Sequence, residues 1–166
     1  MIRFELRQWQ PEDADSIVKY ANNEKIARNM RNLFPHPFTI EHGRWYADTY
    51  ADKPGQCVRA IVVNSEAVGA VGVIMQSDIH CKCAELGYWL GEPFWNNGIM
   101  SSAIKQHCRF IFTEYDIVRI YAEVFAYNTG SRKALEKAGF QLEGVLKKSI
   151  YKNDQVFDSY IYALTK

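Results

Sequence analysis

The first third of the chain combines one strand-like pattern with several helical ones. Residues 2–7 alternate apolar with charged side chains, which is the period of a half-buried β-strand. Pro11, followed by two acidic residues, predicts the first turn of a helix, and a second helix is predicted over residues 23–30. Thr39 is a typical N-cap and predicts the start of a third helix.

The pattern then changes to β-structure. The runs 57–64, 67–76 and 83–90 contain many β-branched or aromatic residues, and Ser65 with Glu66 predicts a tight turn between the first two. Because the connections between these runs are short, we expect the three strands to form an antiparallel meander.

An amphipathic helix is predicted directly after these strands. Apolar positions at helical spacing define one buried face, made of Met100, Ala103, Ile104, His107, Cys108 and Ile111. A further strand is predicted over residues 119–125. A strand, a helix and a second strand in succession favour parallel pairing of 83–90 with 119–125.

The C-terminal part adds a short helix and two strands. Asn128 predicts the N-cap of this helix, and Gly139 predicts its left-handed C-terminal residue. The closing strands are predicted over residues 141–150 and 155–164. The whole pattern predicts an α+β fold, a mixed and mostly antiparallel central sheet flanked by helices, in a single domain over residues 1–166.

The charge balance argues against a bulk electrostatic partner. The 166 residues include 20 Lys+Arg and 19 Asp+Glu, a formal net charge of +1, so we expect neither nucleic acid nor a membrane surface as a partner. No apolar stretch is long enough to span a bilayer and the N-terminus lacks a signal-peptide core, which predicts a cytoplasmic protein. The cluster His80, Cys81 and Cys83 lacks the second ligand pair of a structural zinc site, so no metal is expected.

One turn has the features of a phosphate site. Asn96, Asn97 and Gly98 separate the strand 83–90 from the helix that follows. The first amides of a helix have no partner within the helix and lie at the positive end of its dipole, so a diphosphate would bind there. The alternative is an ordinary helix-entry turn that binds nothing. The chain has neither the P-loop pattern nor a GxGxxG that opens a helix.

Four segments, in order along the chain, carry the pattern of a known family. They are RQWQPED (7–13), AELGYWL (84–90), WNNGIM (95–100) and NTGS (128–131), the last followed by LEKAGF and EG. In these segments the chain resembles the GCN5-related N-acetyltransferases (GNAT), and among them the RimJ/RimL-type branch, which acetylates protein N-termini. The resemblance covers nearly the whole chain and implies a GNAT-like domain in which the parallel strands splay apart.

The resemblance implies acetyl-coenzyme A as the acyl donor. The amides of the WNNGIM loop would hold the pyrophosphate, and the pantetheine arm would lie between the splayed strands, hydrogen-bonded to Asn128. Trp95 and Met100 depart from the family pattern at the first and last positions of this loop. The implied coenzyme-binding residues are Tyr88, Trp89, Leu90, Asn96, Asn97, Gly98, Ile99, Met100, Asn128, Ser131 and Lys137.

Acetyl transfer to an amine needs a proton acceptor and help for the departing thiolate. Glu85, in the strand beside the expected cleft, is the candidate base; the alternative is a structural ion pair or an outward-facing strand residue. By resemblance, Ser131 would protonate the thiolate. Leu135 and Ile150 stand where relatives place a tyrosine acid and an acidic residue. The other candidate proton carriers are Tyr88, Tyr121, Glu123, His80 and Tyr151.

The acceptor is less well defined by the sequence. A protein α-amino group has a pKa near 8 and loses its proton far more easily than an alkyl ammonium, so a weak base favours peptide N-termini. A small-molecule amine, such as a polyamine or an antibiotic, is the alternative acceptor, although the near-zero net charge argues against a strongly cationic one. A coenzyme A-binding module without turnover, an enzyme with a longer acyl donor, and a homodimer also remain open.

Overall fold

The structure is a computed structural model that describes residues 2–51 and 53–166. Seven strands form one sheet in the order β1-β2-β3-β4-β5-β7-β6. The strands are β1 (Glu5–Arg7), β2 (Gln56–Val63), β3 (Glu66–Met75), β4 (Cys83–Leu90), β5 (Arg119–Phe125), β6 (Gln141–Lys152) and β7 (Gln155–Thr165). The helices are α1 (Ala14–Ala21), α2 (Glu24–Ala27), α3 (Ile40–Thr49), α4 (Ile99–Glu114) and α5 (Thr129–Ala138). The predicted α+β class and mixed sheet are confirmed.

Two local predictions were wrong in their bounds. The helix expected over 23–30 ends at Ala27, because the next residues turn with i→i−3 bonds such as that from the Met30 amide to the Ala27 carbonyl (3.1 Å). The hairpin turn lies on Asn64 and Ser65, with φ of 49° and 68°, and Glu66 already belongs to β3. A two-residue hairpin with both φ values positive suits the twist of the flanking strands.

The sheet buries a different apolar cluster on each face. On one face, α4 and α5 pack over β2 to β5 and β7, with fully buried Ile104, Ile111 and Leu135. On the other face, α1 to α3 pack over β2, β3 and the end of β4, around Ile17 and Trp89. No residue of β5, β6 or β7 is part of this second cluster. That half of the second face is therefore left without a helical cover among the described residues.

The parallel strands β4 and β5 separate after a short contact. Their paired residues are Cys83 with Arg119, Ala84 with Ile120 and Glu85 with Tyr121. Beyond Glu85 and Tyr121, β4 stays paired with β3 and β5 with β7, but not with each other. The expected splay is confirmed, and Glu85 lies at its apex. Among the described residues no helix has the length and apolar character needed to cross a membrane.

His107 makes the stability of the fold depend on pH. It is 1% exposed on α4, and its Nε2 lies 3.0 Å from the carbonyl oxygen of Cys57. Burial lowers the pKa of His107 to about 4, so the neutral ring is the folded form. Between pH 6.5 and 4 the unfolded chain binds the additional proton, and stability is therefore lost as the pH falls through this window.

We expect the free energy of unfolding to decrease by about 2 kcal/mol between pH 7 and pH 5 through this one group. Urea unfolding at several pH values measures the decrease. His107→Gln, which keeps a hydrogen-bond donor without titrating, should flatten the same pH range. An equally steep pH dependence in that variant would contradict the assignment.

Candidate active site

The opening between β4 and β5 exposes main-chain groups to a ligand. Residues 86–90 of β4 and 122–125 of β5 make strand pairs only on their outer sides, with β3 and β7. Backbone N–H and C=O groups in such a position need a partner, and an extended ligand can supply it as an added strand does. The opening is therefore suited to a long chain rich in amides.

The loop at the end of β4 has a conformation that concentrates backbone amides. Asn96 and Gly98 adopt left-handed conformations with φ of 62° and 75°, and Gly98 is the N-cap of the 16-residue helix α4. The first turn of α4 carries no acidic residue that would compete for its amides. The Asn97 side chain donates to the Trp95 carbonyl (2.9 Å), which holds the turn. These features suit an anion such as a phosphate.

Ser131 and Tyr88 form a hydroxyl pair beside the opening. Tyr88 lies on β4, and its phenolic oxygen is 2.6 Å from Ser131 Oγ in the first turn of α5. Burial raises the pKa of Tyr88 well above its ordinary value, and the hydrogen bond with Ser131 opposes this only in part. The phenol thus stays protonated and can donate to Ser131, which leaves the hydroxyl hydrogen of Ser131 available for another acceptor.

Asn128 has the capping role that its position predicted. Its Oδ1 accepts a hydrogen bond from the Ser131 amide at 3.1 Å. This bond fixes the first turn of α5 and with it the place of the Ser131 side chain. The predicted contact of Asn128 with a pantetheine arm would be made by the amide nitrogen of the same side chain.

Glu85 is ion-paired, a possibility that the sequence had left open. Its carboxylate contacts the guanidinium of Arg31, and the two side chains are 21% and 68% exposed respectively. Tyr121, its partner on β5, faces the same side of the sheet, and burial together with the charge of Glu85 raises the pKa of this phenol. Arg31 was missed by the sequence analysis because it lies in a polar turn with no pattern of its own.

The family model described as the acetyltransferase (GNAT) domain matches residues 3–141. The chain belongs to the GNAT family. It is similar to the uncharacterized N-acetyltransferase YoaA of Bacillus subtilis, with 30% identity over 99% of this chain and 94% of that protein. It also resembles the L-amino acid N-acetyltransferase AaaT of Escherichia coli, at 25% identity over 97% of each chain.

Solved structures of GNAT proteins share the fold. The structure of RimL, described as a ribosomal L7/L12 alpha-N-protein acetyltransferase in complex with coenzyme A, matches with a TM-score of 0.87. The identity is 22%, and the match covers 98% of this chain and 93% of that chain. The match to the family model and the similarity to YoaA confirm the predicted family and the predicted enzyme class, an N-acetyltransferase. This GNAT chain is an acetyl-CoA-dependent N-acetyltransferase.

The predicted coenzyme-binding residues of this GNAT chain differ in what their side chains can do. Trp89 is 4% exposed in the second core, where its Nε1 donates to Tyr46 Oη at 3.0 Å. Ile99 is 1% exposed in the first core. The carbonyl of Leu90, another predicted coenzyme-binding residue, already accepts a hydrogen bond from Trp95 Nε1 at 2.6 Å. The side chains of Trp89 and Ile99 are thus committed to packing. These two residues can contribute only backbone groups to a ligand.

The remaining candidates in the GNAT chain are dispersed. Lys137 is exposed on α5, and Tyr151 is exposed on β6, where it donates to Asp154 at 2.9 Å. His80 lines a groove of about 290 Å³ together with Gln76, Cys83, Arg119, Tyr121 and Ile161. Among the described residues, no group of three or more His, Cys, Asp and Glu side chains converges as a metal site would require. Leu135 is fully buried in the first core.

Proposed function

We propose that this GNAT chain transfers an acetyl group from acetyl-CoA to an α-amino group, that of a protein or peptide N-terminus. The observation that carries the proposal is the opening between β4 and β5. Glu85 lies at its apex, the hydroxyls of Ser131 and Tyr88 lie beside it, and the amide-rich loop 96–100 lies at its end. Acetyl-CoA has a part to match each of these features. Its diphosphate matches the loop amides, its amide-rich arm matches the opening between the strands, and its thioester matches the hydroxyl pair and Glu85.

The donor would bind mainly through main-chain groups. In the proposal the amides of residues 96–100 hold the pyrophosphate, and the pantetheine arm lies between β4 and β5 as an additional strand. This division explains how the loop tolerates Trp95 and Met100, since backbone amides do the binding. The sulfur would then lie near the hydroxyl pair of Ser131 and Tyr88.

The chemistry requires two proton movements around one new bond. The amine nitrogen attacks the thioester carbonyl, the C–N bond forms, and the C–S bond breaks with its electron pair going to sulfur. In the proposal Glu85 accepts the proton that the amine loses and passes it to water, while Ser131 gives its hydroxyl proton to the thiolate and regains one from solvent. Arg31 is largely exposed, so its pairing with Glu85 is weak and does not prevent this role.

The descriptions of two similar proteins support an acceptor of this class. RimL is described as an alpha-N-protein acetyltransferase and AaaT as an L-amino acid N-acetyltransferase. This agrees with the lower pKa of α-amino groups, near 8, against about 10 for lysine. A small-molecule amine is the second candidate acceptor, and AaaT is the relative that favours it.

Thiol release with acetyl-CoA tests the proposal. The acceptor panel contains peptides with N-terminal serine, alanine or aspartate, the corresponding free amino acids, N-terminally blocked peptides with an internal lysine, and spermidine. We expect release with free α-amines and little with blocked peptides. Calorimetry with coenzyme A separates a binding module from an enzyme: binding without release from any amine would favour the module, and no binding at millimolar coenzyme would contradict the donor assignment.

A pair of glycine variants tests the loop. Gly98 and Gly55 both have positive φ, 75° and 81°, and an added Cβ meets no atom within 4 Å at either position. Alanine should therefore cost about 1 kcal/mol of stability at both sites through backbone strain. Gly98 is also the N-cap of α4, within the loop proposed to hold the pyrophosphate. We therefore expect Gly98→Ala to bind coenzyme A at least tenfold more weakly by calorimetry.

Gly55→Ala is the matched control, because Gly55 lies in the turn before β2, away from the opening. Its affinity for coenzyme A should equal that of the wild type. Equal affinities in the two variants would contradict pyrophosphate binding at the 96–100 loop.

A further inference from the structure

A second carboxylate lies on the same face of the sheet as Glu85. Along β5, Ile120, Ala122 and Val124 are buried in the core beneath α4, so Tyr121 and Glu123 face the opposite side. Tyr121 is the Cα partner of Glu85 across the β4–β5 pair. Glu123 is two residues further along β5, where this strand runs beside the opening. It therefore faces the side from which an acceptor would reach a thioester held between the strands.

Two hydroxyl groups fix the Glu123 carboxylate. Ser159 on β7 is fully buried, and its Oγ donates to Glu123 Oε1 at 2.6 Å. Ser149 Oγ lies 2.6 Å from Ser159 Oγ. Ser149 Oγ also lies 3.2 Å from the Leu146 carbonyl oxygen, so its single hydrogen has two acceptors within reach. Because Ser159 gives its only hydrogen to the carboxylate, Ser159 Oγ can only accept from Ser149, and this 2.6 Å contact is the shorter of the two. This direction of donation suits a charged carboxylate that acts only as an acceptor.

The negative charge of Glu123 has no cationic partner among the described residues. Glu85, in contrast, contacts Arg31. A fixed, uncompensated carboxylate beside the reaction site attracts a cation, and an acceptor amine arrives mostly as its ammonium ion at neutral pH. The two carboxylates are thus prepared for different tasks.

The sheet face around Glu123 is open to solvent. The helices α1 to α3 do not cover β5 or β7. The segment 28–31 is tied to this part of the sheet by two hydrogen bonds: Tyr127 Oη donates to the Arg28 carbonyl at 2.7 Å, and the amine of Lys152 donates to the Met30 carbonyl at 2.5 Å. Glu123 is exposed on this part of the sheet. An amine can therefore reach it from solvent.

We propose that Glu123 is the residue that binds the acceptor's ammonium group, and that Ser159 and Ser149 are positioning residues that hold its carboxylate. This inference rests on the proposed function. It deepens that function by separating capture of the ammonium at Glu123 from removal of its proton at Glu85, and by assigning the site to acceptors that enter as cations.

Steady-state kinetics with a seryl peptide amide, at saturating acetyl-CoA, tests the assignment. Glu123→Gln should raise the KM for the peptide at least tenfold, with kcat within threefold and the KM for acetyl-CoA unchanged. Ser159→Ala should raise the same KM by a smaller factor. The double variant should resemble Glu123→Gln alone, because the serine acts only through the carboxylate.

Glu143→Gln is the control, since Glu143 is an exposed glutamate on β6 that pairs with Arg119 on β5. This variant should leave both KM values unchanged. Calorimetric titration of the peptide, and of its analogue without the amine, into the coenzyme-loaded protein gives a readout that does not need turnover. Glu123→Gln should abolish the preference for the amine. A KM and a preference like those of the wild type would overturn the inference.

Multiplying effects in the double variant would overturn the positioning role of Ser159. If the coenzyme binds but the wild type neither acetylates nor binds any amine of the panel, the ammonium site is overturned while the donor assignment stands. If the coenzyme itself does not bind, the proposed function has failed. In that case calorimetry without coenzyme decides on the ammonium site. The site stands if the wild type still prefers the peptide with the amine and Glu123→Gln does not. Any other result overturns it.

Discussion

Replacing Ser131 by alanine is expected to lower the kcat of acetyl transfer about a hundredfold. The variant removes the hydroxyl proposed to give its proton to the thiolate. The hydrogen bond to Asn128 Oδ1 is retained, because residue 131 contributes only its backbone N–H to it. Folding should therefore be preserved. The KM for acetyl-CoA should change only a few-fold, since main-chain groups are proposed to bind the donor. Initial rates of thiol release at saturating substrates measure the effect.

The hydroxyl pair provides internal controls for this prediction. Ser131→Thr keeps a hydroxyl at the same place and should retain at least a tenth of the rate. Tyr88→Phe removes the phenol 2.6 Å from Ser131 Oγ and should cost about tenfold, because Ser131 loses the donor that orients it. In the Ser131→Ala background the same change should cost little more. Wild-type kcat in Ser131→Ala would exclude the proposed proton donor.

Replacing Glu85 by glutamine is expected to lower kcat by at least a hundredfold. Glutamine keeps the shape of the side chain but cannot accept a proton at neutral pH. The lost contact is with an arginine that is 68% exposed, so the effect on the free energy of unfolding should be small. Denaturant unfolding, run alongside the kinetics, separates loss of activity from loss of stability.

Arg31→Gln is the matched control, because it breaks the same ion pair from the other side. If Glu85 is the base, Arg31→Gln should leave kcat within a few-fold of the wild type. If the carboxylate serves only to hold Arg31, the two variants should lose the same amount of activity. Glu66→Gln, which breaks an exposed pair with Lys19 away from the opening, reports any general effect of losing a surface ion pair.

Local sequence patterns predicted most of the fold because each depends on few neighbours. The strand β5 follows from its strong β-forming residues and the apolar face of α4 from helical periodicity, and both are seen in the structure. The N-cap at Asn128 and the left-handed residues at Gly98 and Gly139 follow from side-chain and backbone sterics. The errors, in the helix over 23–30 and in the turn at Asn64, concern boundaries, which tertiary packing shifts by a few residues.

The sequence by itself determined the α+β class, the parallel pair, the glycine loop and the family, because periodicity, capping and short motifs are properties of neighbouring residues. Only the tertiary structure decided what the side chains of the site contact. It paired Glu85 with Arg31, 54 residues away in sequence, Tyr88 with Ser131, 43 residues away, and Glu123 with Ser159, 36 residues away. Such contacts depend on which strands become neighbours in the sheet, and no local pattern contains that information.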